Sequence, residues 1–241
     1  MSVGGGTNIT QNDLVRSRTA RNLKEFLKFI DYLRPLIGNK RMLDVGCGFG
    51  GLSVLVGERL AFQEVYGIDI DSVALAEAEK KGVIVANIEV GKQKLPYESE
   101  YFDLVMSLGM LDYLPFFDDA LTEFRRVLKS SGYLLISLPN LASWHNRIAL
   151  LFGYQPRDIE VSRQYVVGVH PIYGSSLKPT GHIHTLTTGA FKALAEKFGF
   201  KTVRIWGFDP HPNPNLLVRI VDRVMTRNPS LARRFVYVGQ K

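Results

Sequence analysis

The sequence predicts an α/β protein built on a doubly wound, mostly parallel sheet. Two observations carry this. Short apolar runs alternate with helix-length amphipathic segments through the first 140 residues, the pattern of strand–helix–strand units with right-handed crossovers. The first run, Met42–Val45, opens directly into Gly46, Gly48 and Gly51 at G-x-G-x-x-G spacing, the signature of a turn that seats a nucleotide at the start of a helix.

The elements follow in order. Residues 1–10 read as disordered. Between Asn12 and Arg34 the residues Leu23, Phe26, Leu27, Ile30 and Leu33 recur at helical spacing, and Pro35 ends the helix. Leu52, Leu55 and Val56 carry a helix out of the glycine turn. Val65–Ile70 is a second strand ending in "GIDID"; Asp71 or Ser72 caps the next helix, which runs to Lys81 and stops at Gly82. Val83–Asn87 is a third strand, Phe102–Leu108 a fourth, Phe116–Lys129 an amphipathic helix and Gly132–Leu138 a fifth strand. Residues 139–187 then change character: a short helix is followed by a loop-rich stretch with scattered proline, glycine and aromatics, read as a cap or substrate segment. Thr188–Phe198 is helical and Lys201–Gly207 a sixth strand. "DPHPNP" interrupts the chain at 209–214, a basic amphipathic helix runs to about Arg227, and Phe235–Val238 is the last strand. The expected division is an N-terminal tail and helix over 1–38 and a main domain over 39–241 with the insertion at about 139–187.

Composition narrows the class. The 241 residues fit one generous domain, and a hydrophobic share of 46% supports a full core. Cys47 is the single cysteine, which excludes a disulfide framework and a multi-cysteine metal site. The opening "MSVGGGTNIT" has neither the charged start nor the apolar run of an export signal, and no apolar run approaches the ~20 residues of a membrane span. The cytoplasm is the expected compartment. A net charge of +7 is a mild bias toward anionic partners.

Asp44, two residues before the first glycine, decides what the turn holds. In a dinucleotide fold that turn presents a helix N-terminus to a pyrophosphate, and a carboxylate beside it would repel the phosphates. Asp44 therefore favours a ligand with positive charge and no phosphate. S-adenosylmethionine, with a sulfonium and an ammonium group, fits; NAD does not. Asp69, at the end of the second strand, stands where a carboxylate accepts hydrogen bonds from ribose hydroxyls.

With "LDVGCGFG" (43–50), "VYGIDID" (65–71), "FDLVMSLGMLDYL" (102–114), "FRRVLKSSGYLLISLPN" (124–140) and "GHIHTLTTGAFKALAEKFGF" (181–200), the chain resembles the class I S-adenosylmethionine-dependent methyltransferases over roughly residues 40–207. The resemblance implies a Rossmann-like seven-stranded sheet of order 3-2-1-4-5-7-6 with the last strand antiparallel. It implies that Asp44, Gly46 and Gly48 hold the methionine end of the cofactor, that Asp69 takes the ribose with Ile70 against the adenine, and that Asn87 and Ile88 flank the adenine. Asn87 stands where the family usually has an acid. Leu108 and Gly109 would line the methyl-transfer site. "SLGMLDY" after the fourth strand lacks the (Asp/Asn)-Pro-Pro-aromatic motif of DNA amino-methyltransferases. The later segments look like a branch acting on small molecules, glycans or lipids, including methionine-biosynthesis-associated members. The rival functions are a non-catalytic partner protein that kept cofactor binding and an NAD-dependent oxidoreductase, which Asp44 disfavours.

Other residues have competing readings. Cys47, between two glycines, reads as a small turn filler and not a nucleophile. The five histidines all lie beyond residue 140. His182 and His184 form H-x-H, but no third ligand supports a metal. His182 is instead a candidate base or substrate contact, with Asp112 and Tyr113 as rival acid–base or orienting groups. Trp144, Tyr154, Tyr165 and Tyr173 would wall the acceptor pocket, His182 at its edge. Arg219, Arg223 and Arg227 recur every four residues beside Leu216, Leu217, Ile220, Val221 and Val224. The preferred reading is a solvated basic face with the apolar face on the core; the sharper one is contact with a membrane surface or an acidic substrate.

Overall fold

The computed structural model describes residues 23–170, 178–208 and 216–241. Helix α1 (Leu23–Leu33) buries Phe26, Phe29, Ile30 and Leu33 and leaves Glu25 and Lys28 outside as an exposed ion pair. Then follow β1 (Arg41–Val45), α2 (Gly51–Leu60), β2 (Glu64–Asp69), α3 (Ser72–Lys80), β3 (Ile84–Asn87) and β4 (Phe102–Leu108). A short 3-10 turn, Leu111–Tyr113, leads to α4 (Asp118–Val127), β5 (Leu128–Pro139) and α5 (Trp144–Leu151). The chain closes with α6 (Thr188–Lys197), β6 (Lys201–Phe208), α7 (Leu216–Met225) and β7 (Arg234–Gln240).

The seven strands form one sheet of order β3-β2-β1-β4-β5-β7-β6. β1 to β5 pair in parallel, and β7 lies antiparallel between β5 and β6. The α/β Rossmann-like architecture is therefore the expected one. Strand side chains alternate between the two faces. Phe235 and Tyr237 join Val105, Phe124 and Phe191 under α4 and α6, whereas Val236 and Val238 join Met106, Phe26 and Ile30 under α1. The carboxyl ends of β1, β2, β4 and β5 share one edge, and β7 begins at that edge because Arg234 pairs with Pro139.

The largest boundary difference from the sequence reading lies between α4 and β5. The helix expected over Phe116–Lys129 spans only Asp118–Val127, and the strand expected at Gly132 starts at Leu128. Backbone pairing decides this. Phe102 pairs with Leu128, and Glu100 and Tyr101 donate to the carbonyls of Arg126 and Val127, which draws the chain into the sheet before Gly132. The second correction concerns α7. Leu216, Leu217, Ile220, Val221 and Val224 are exposed, and Asp222 is the buried residue of that helix, so its apolar face is not on the core. Tyr173, His211, all of "DPHPNP" (209–214), the expected disorder over 1–10 and the start of the first helix before Leu23 lie outside the described residues.

Packing beneath the glycine turn is tight. A Cβ on Gly67, in the middle of β2, would stand 2.7 Å from Cys47 Sγ and 2.9 Å from Val83 Cγ1. Overpacking of this kind costs on the order of 1–3 kcal/mol. Gly67→Ala is expected to lower stability by that amount in chemical denaturation, and a second substitution, Cys47→Ala, to restore part of it.

Candidate active site

The turn after β1 is built from backbone bonds that leave its ligand side open. Gly46 and Cys47 both donate to the carbonyl of Ile68, at 2.8 and 3.1 Å. Gly46 has φ +81°, and a side chain there would collide with Met110, since its Cβ would lie 2.7 Å from Met110 Cβ. Only glycine meets both conditions without strain. Asp69 ties the turn to the next element: Oδ2 accepts from Gly48 N at 2.8 Å and Oδ1 from Asp71 N at 3.0 Å. Asp71 in turn caps α3 by accepting from Val73 N and Ala74 N. Each carboxylate oxygen can accept a second bond, so Asp69 keeps capacity for a ligand.

Asp44 lies deeper. Its carboxylate is buried and accepts from Ser53 Oγ at 2.6 Å. Burial pushes its pKa from the usual 3.8 up to about 7; the Ser53 bond works against that rise and the neighbouring Asp69 adds to it. Burial also raises the Cys47 thiol far above its ordinary range, which removes it as a nucleophile at neutral pH.

A cavity of about 400 Å³ opens at the carboxyl ends of the strands, a size within the ~300–1,000 Å³ of small-molecule sites. Gly46, Asp69 and Ile70 line one side, the loop from Ile88 to Lys92 a second, and Met110, Tyr113, Phe116 and Ile183 the far side. Asn87 stands behind the wall, its amide donating to the carbonyls of Asp69 and Ile70. Asp44 and Gly48 also lie outside the lining, and at the end of β4 the wall is Met110 in place of Leu108 or Gly109. Sequence reasoning missed Met110, Phe116, Val90 and Lys92. Apolar loop residues and a lone loop lysine carry no chemical signature, and only the folding of several loops together puts them on one cavity.

His182, Asp112 and Tyr113 do come together. His182 Nε2 lies 3.0 Å from Asp112 Oδ2, and the Tyr113 ring packs edge-on against the imidazole with centroids 5.2 Å apart. The carbonyl of Asp112 also accepts from Ile183 N and His184 N, which fixes the end of the insertion on the turn after β4. Glu160 grips the same end through Thr180 N, Thr180 Oγ1 and Gly181 N. His182 and Asp112 are buried, however, and Tyr113 is the member of the trio on the cavity wall. The expectation of His182 at the pocket edge is corrected accordingly.

The expected aromatic wall is corrected as well. Trp144 donates its indole N–H to Asp222 Oδ1 at 2.7 Å, Tyr154 packs on His170, and Tyr165 is exposed; none of the three lines the cavity. His184 Nε2 instead meets the carbonyl of Pro115 at 2.5 Å. Among the described residues no three His, Cys, Asp or Glu side chains cluster as metal ligands. One cation was not foreseen. Arg234 is buried at the head of β7, with Nη2 3.1 Å from the position of a Cβ on Gly109.

Comparison with known proteins identifies this arrangement. Residues 43–136 match the family model of the methyltransferase domain. The matched segment is that of a methyltransferase domain, and the fold of the chain is that of solved S-adenosylmethionine-dependent methyltransferases. The methyl donor of that family is S-adenosylmethionine. The methyltransferase domain is similar to a ubiquinone/menaquinone biosynthesis C-methyltransferase of Paraburkholderia phymatum, 33% identical over 130 residues that cover 52% of each chain. It is also similar to a fatty-acid O-methyltransferase of Mycolicibacterium smegmatis, 31% identical over 101 residues, 41% of this chain and 37% of that one. The chain spans about half or less of the curated relatives it matches. A solved S-adenosylmethionine-dependent methyltransferase from Archaeoglobus fulgidus shares the fold at a TM-score of 0.60 and 20% identity, over 92% of this chain and 94% of that one.

The Ser53–Asp44 bond has a measurable consequence. It favours the charged carboxylate, so Ser53→Ala is expected to raise the Asp44 pKa further, read by carboxyl-carbon NMR titration. The same change removes a buried partner and is expected to cost about 1–3 kcal/mol of stability.

Proposed function

We propose that the protein transfers a methyl group from S-adenosylmethionine to a small-molecule acceptor, with a lipid, a lipid precursor or a glycan as the favoured class. The observation that carries this is a cavity lined by the Asp69-tied glycine turn and by a mostly apolar and aromatic set of loop residues, with Glu89, Lys92 and Asp119 as the charged groups among them. Quinone and fatty-acid methylation are named for relatives; neither relative above is tied by name to methionine biosynthesis, and the acceptor class follows them.

The residues suit the donor on their own chemistry. Two carboxylates, Asp44 and Asp69, flank a turn whose Gly46 leaves no room for a side chain, so a cationic ligand lying close to the backbone is matched in charge. Asp44, Gly46 and Gly48 would stand at the methionine end, Asp69 at the ribose, Ile70 and Ile88 against the adenine with Asn87 behind them, and Leu108, Gly109 and Met110 near the transferred group. When bound, S-adenosylmethionine supplies a methyl group already activated by the sulfonium. The protein's part is to position the acceptor and exclude water. Phe116, Ile183 and Met110 provide the dry wall. Tyr113 is the group facing the acceptor, and the buried His182–Asp112 pair holds its ring and the end of the insertion in place. Residues 139–187 then serve as the cap of a domain over 39–241.

Binding has a pH signature. A raised Asp44 pKa means the folded apo protein holds a proton that the unfolded chain gives up near pH 4. That stability contribution is present at low pH and is lost as pH rises to about 7. A cationic ligand reverses the preference. Calorimetry is expected to show proton release on S-adenosylmethionine binding at pH 7, affinity that rises between about pH 6 and pH 8, and no binding of NAD. Micromolar NAD affinity without S-adenosylmethionine binding would overturn the reading.

The wall residues separate transfer from binding. With tritiated S-adenosylmethionine and a lysate extract as acceptor source, Tyr113→Phe and His182→Ala are each expected to lower methyl transfer about tenfold or more. Cofactor affinity in the same variants should stay within about twofold, because neither residue touches the glycine turn. Full turnover in both would remove the trio from the reaction.

A further inference from the structure

We propose that α5 and α7 together form a docking surface for an anionic lipid bilayer. The two helices hold a dense group of exposed apolar side chains. Leu151 is 79% exposed, Leu217 72% and Phe152 70%, with Ile148, Ile220 and Val224 beside them on the same helices. The two helices are linked: Trp144, the first residue of α5, donates to the buried Asp222 of α7 at 2.7 Å, and the Trp144 backbone donates to Leu231 in the link to β7.

Charge decides the occupant. On a helical wheel the exposed residues Leu216, Ile220, Val224, Leu217 and Val221 fill one continuous arc of α7, Arg219 and Arg223 run along its border, and the exposed Arg227 lies two residues past its end. Arg147 adds a further exposed cation on α5. Asp222 is the one acid on either helix, and it is buried. An exposed apolar arc bordered by arginines and free of acids is the composition of a helix that lies in a membrane interface. A second copy of the chain would cover the apolar arc but bring the two arginine rows together, which like-charge repulsion opposes. Anionic headgroups instead neutralise each arginine.

Position links the surface to the site. α5 follows the carboxyl end of β5, and α7 leads into β7, whose first residue pairs with Pro139 at that same edge. Under the function proposed above, an acceptor dissolved in the bilayer would meet the cavity from this side. The docking surface itself does not depend on methyl transfer, and it is tested without cofactor or acceptor.

The test is sedimentation of the full chain with vesicles of phosphatidylcholine containing about one third phosphatidylglycerol, against vesicles of phosphatidylcholine alone. Binding is expected to the anionic vesicles and to weaken with salt. Arg219→Gln with Arg223→Gln should weaken it about tenfold or more. Leu151→Glu with Leu217→Glu and Ile220→Glu should abolish it; these side chains are exposed, so the circular dichroism spectrum and melting temperature should be unchanged. Equal affinity for both vesicle types, or no vesicle binding, would overturn the proposal. So would a wild-type dimer in sedimentation velocity that the glutamate variant dissolves.

Discussion

The carboxylate of Asp69 is the interaction on which the site depends. It is one side chain at the end of β2, yet it bonds the glycine turn after β1 through Gly48 and the approach to α3 through Asp71. The parallel register of β1 and β2 brings Asp44 opposite Gly67 and Val45 opposite Ile68, so both turns leave the sheet at the same height. Without a bond between them, two adjacent loops with many accessible conformations would have to be ordered at an entropic cost of about 1–2 kcal/mol per residue. A charge-assisted bond of 2.8 Å joins them. A ligand that then takes the remaining lone pairs of Asp69 meets a group already held in position, which lowers the cost of binding.

Asp44 shows the opposite use of a carboxylate. It is sealed under the turn with Ser53 as its hydrogen-bond partner, and burial raises its pKa to about 7. A group held near neutrality is poised: its charge is costly in the free protein and is favoured when a cation arrives. The two aspartates thus differ: one bonds the backbone of the turn, and the other is buried and held near neutrality. Cys47 fills the space above Gly67 between them, and burial keeps its thiol protonated.

Much of the fold is legible in the sequence because strand ends and turns carry distinct residue types. β4 matches its expected limits, and Asp71 caps α3 as anticipated, since an apolar run closed by Gly or Asp has few alternatives. The boundary between α4 and β5 was not legible. "VLKSSGYLL" is compatible with either state locally, and only pairing with β4 draws Leu128 into the sheet. The site divides in the same way. Asp69, Ile70 and Ile88 sit at strand ends, where sheet geometry fixes the offset. Met110 and Phe116 are set by loop closure, which no local pattern encodes. His182 and Asp112 could be singled out by chemical type, and the fold brings them to 3.0 Å, but their burial follows from the insertion folding back onto the turn after β4.

The helix α7 marks the limit of periodicity as a guide. An amphipathic pattern states that one face differs from the other; it does not state which face meets the protein. Here the helix is anchored by its polar side, through Asp222 to Trp144 and toward Arg233. A buried carboxylate needs partners, and the nearest donors lie on α5 and at the head of β7, so the helix rotates to deliver Asp222 to them. The apolar arc is turned outward as the geometric consequence. Exposed apolar area carries a cost of roughly 25 cal/mol per Å² in water, and a chain that keeps such an arc beside a row of arginines has placed it where an apolar, negatively charged surface can relieve that cost. Cavity and exposed arc then lie toward the same edge of the sheet, because α5 follows the carboxyl end of β5 and α7 leads into the start of β7 at that edge.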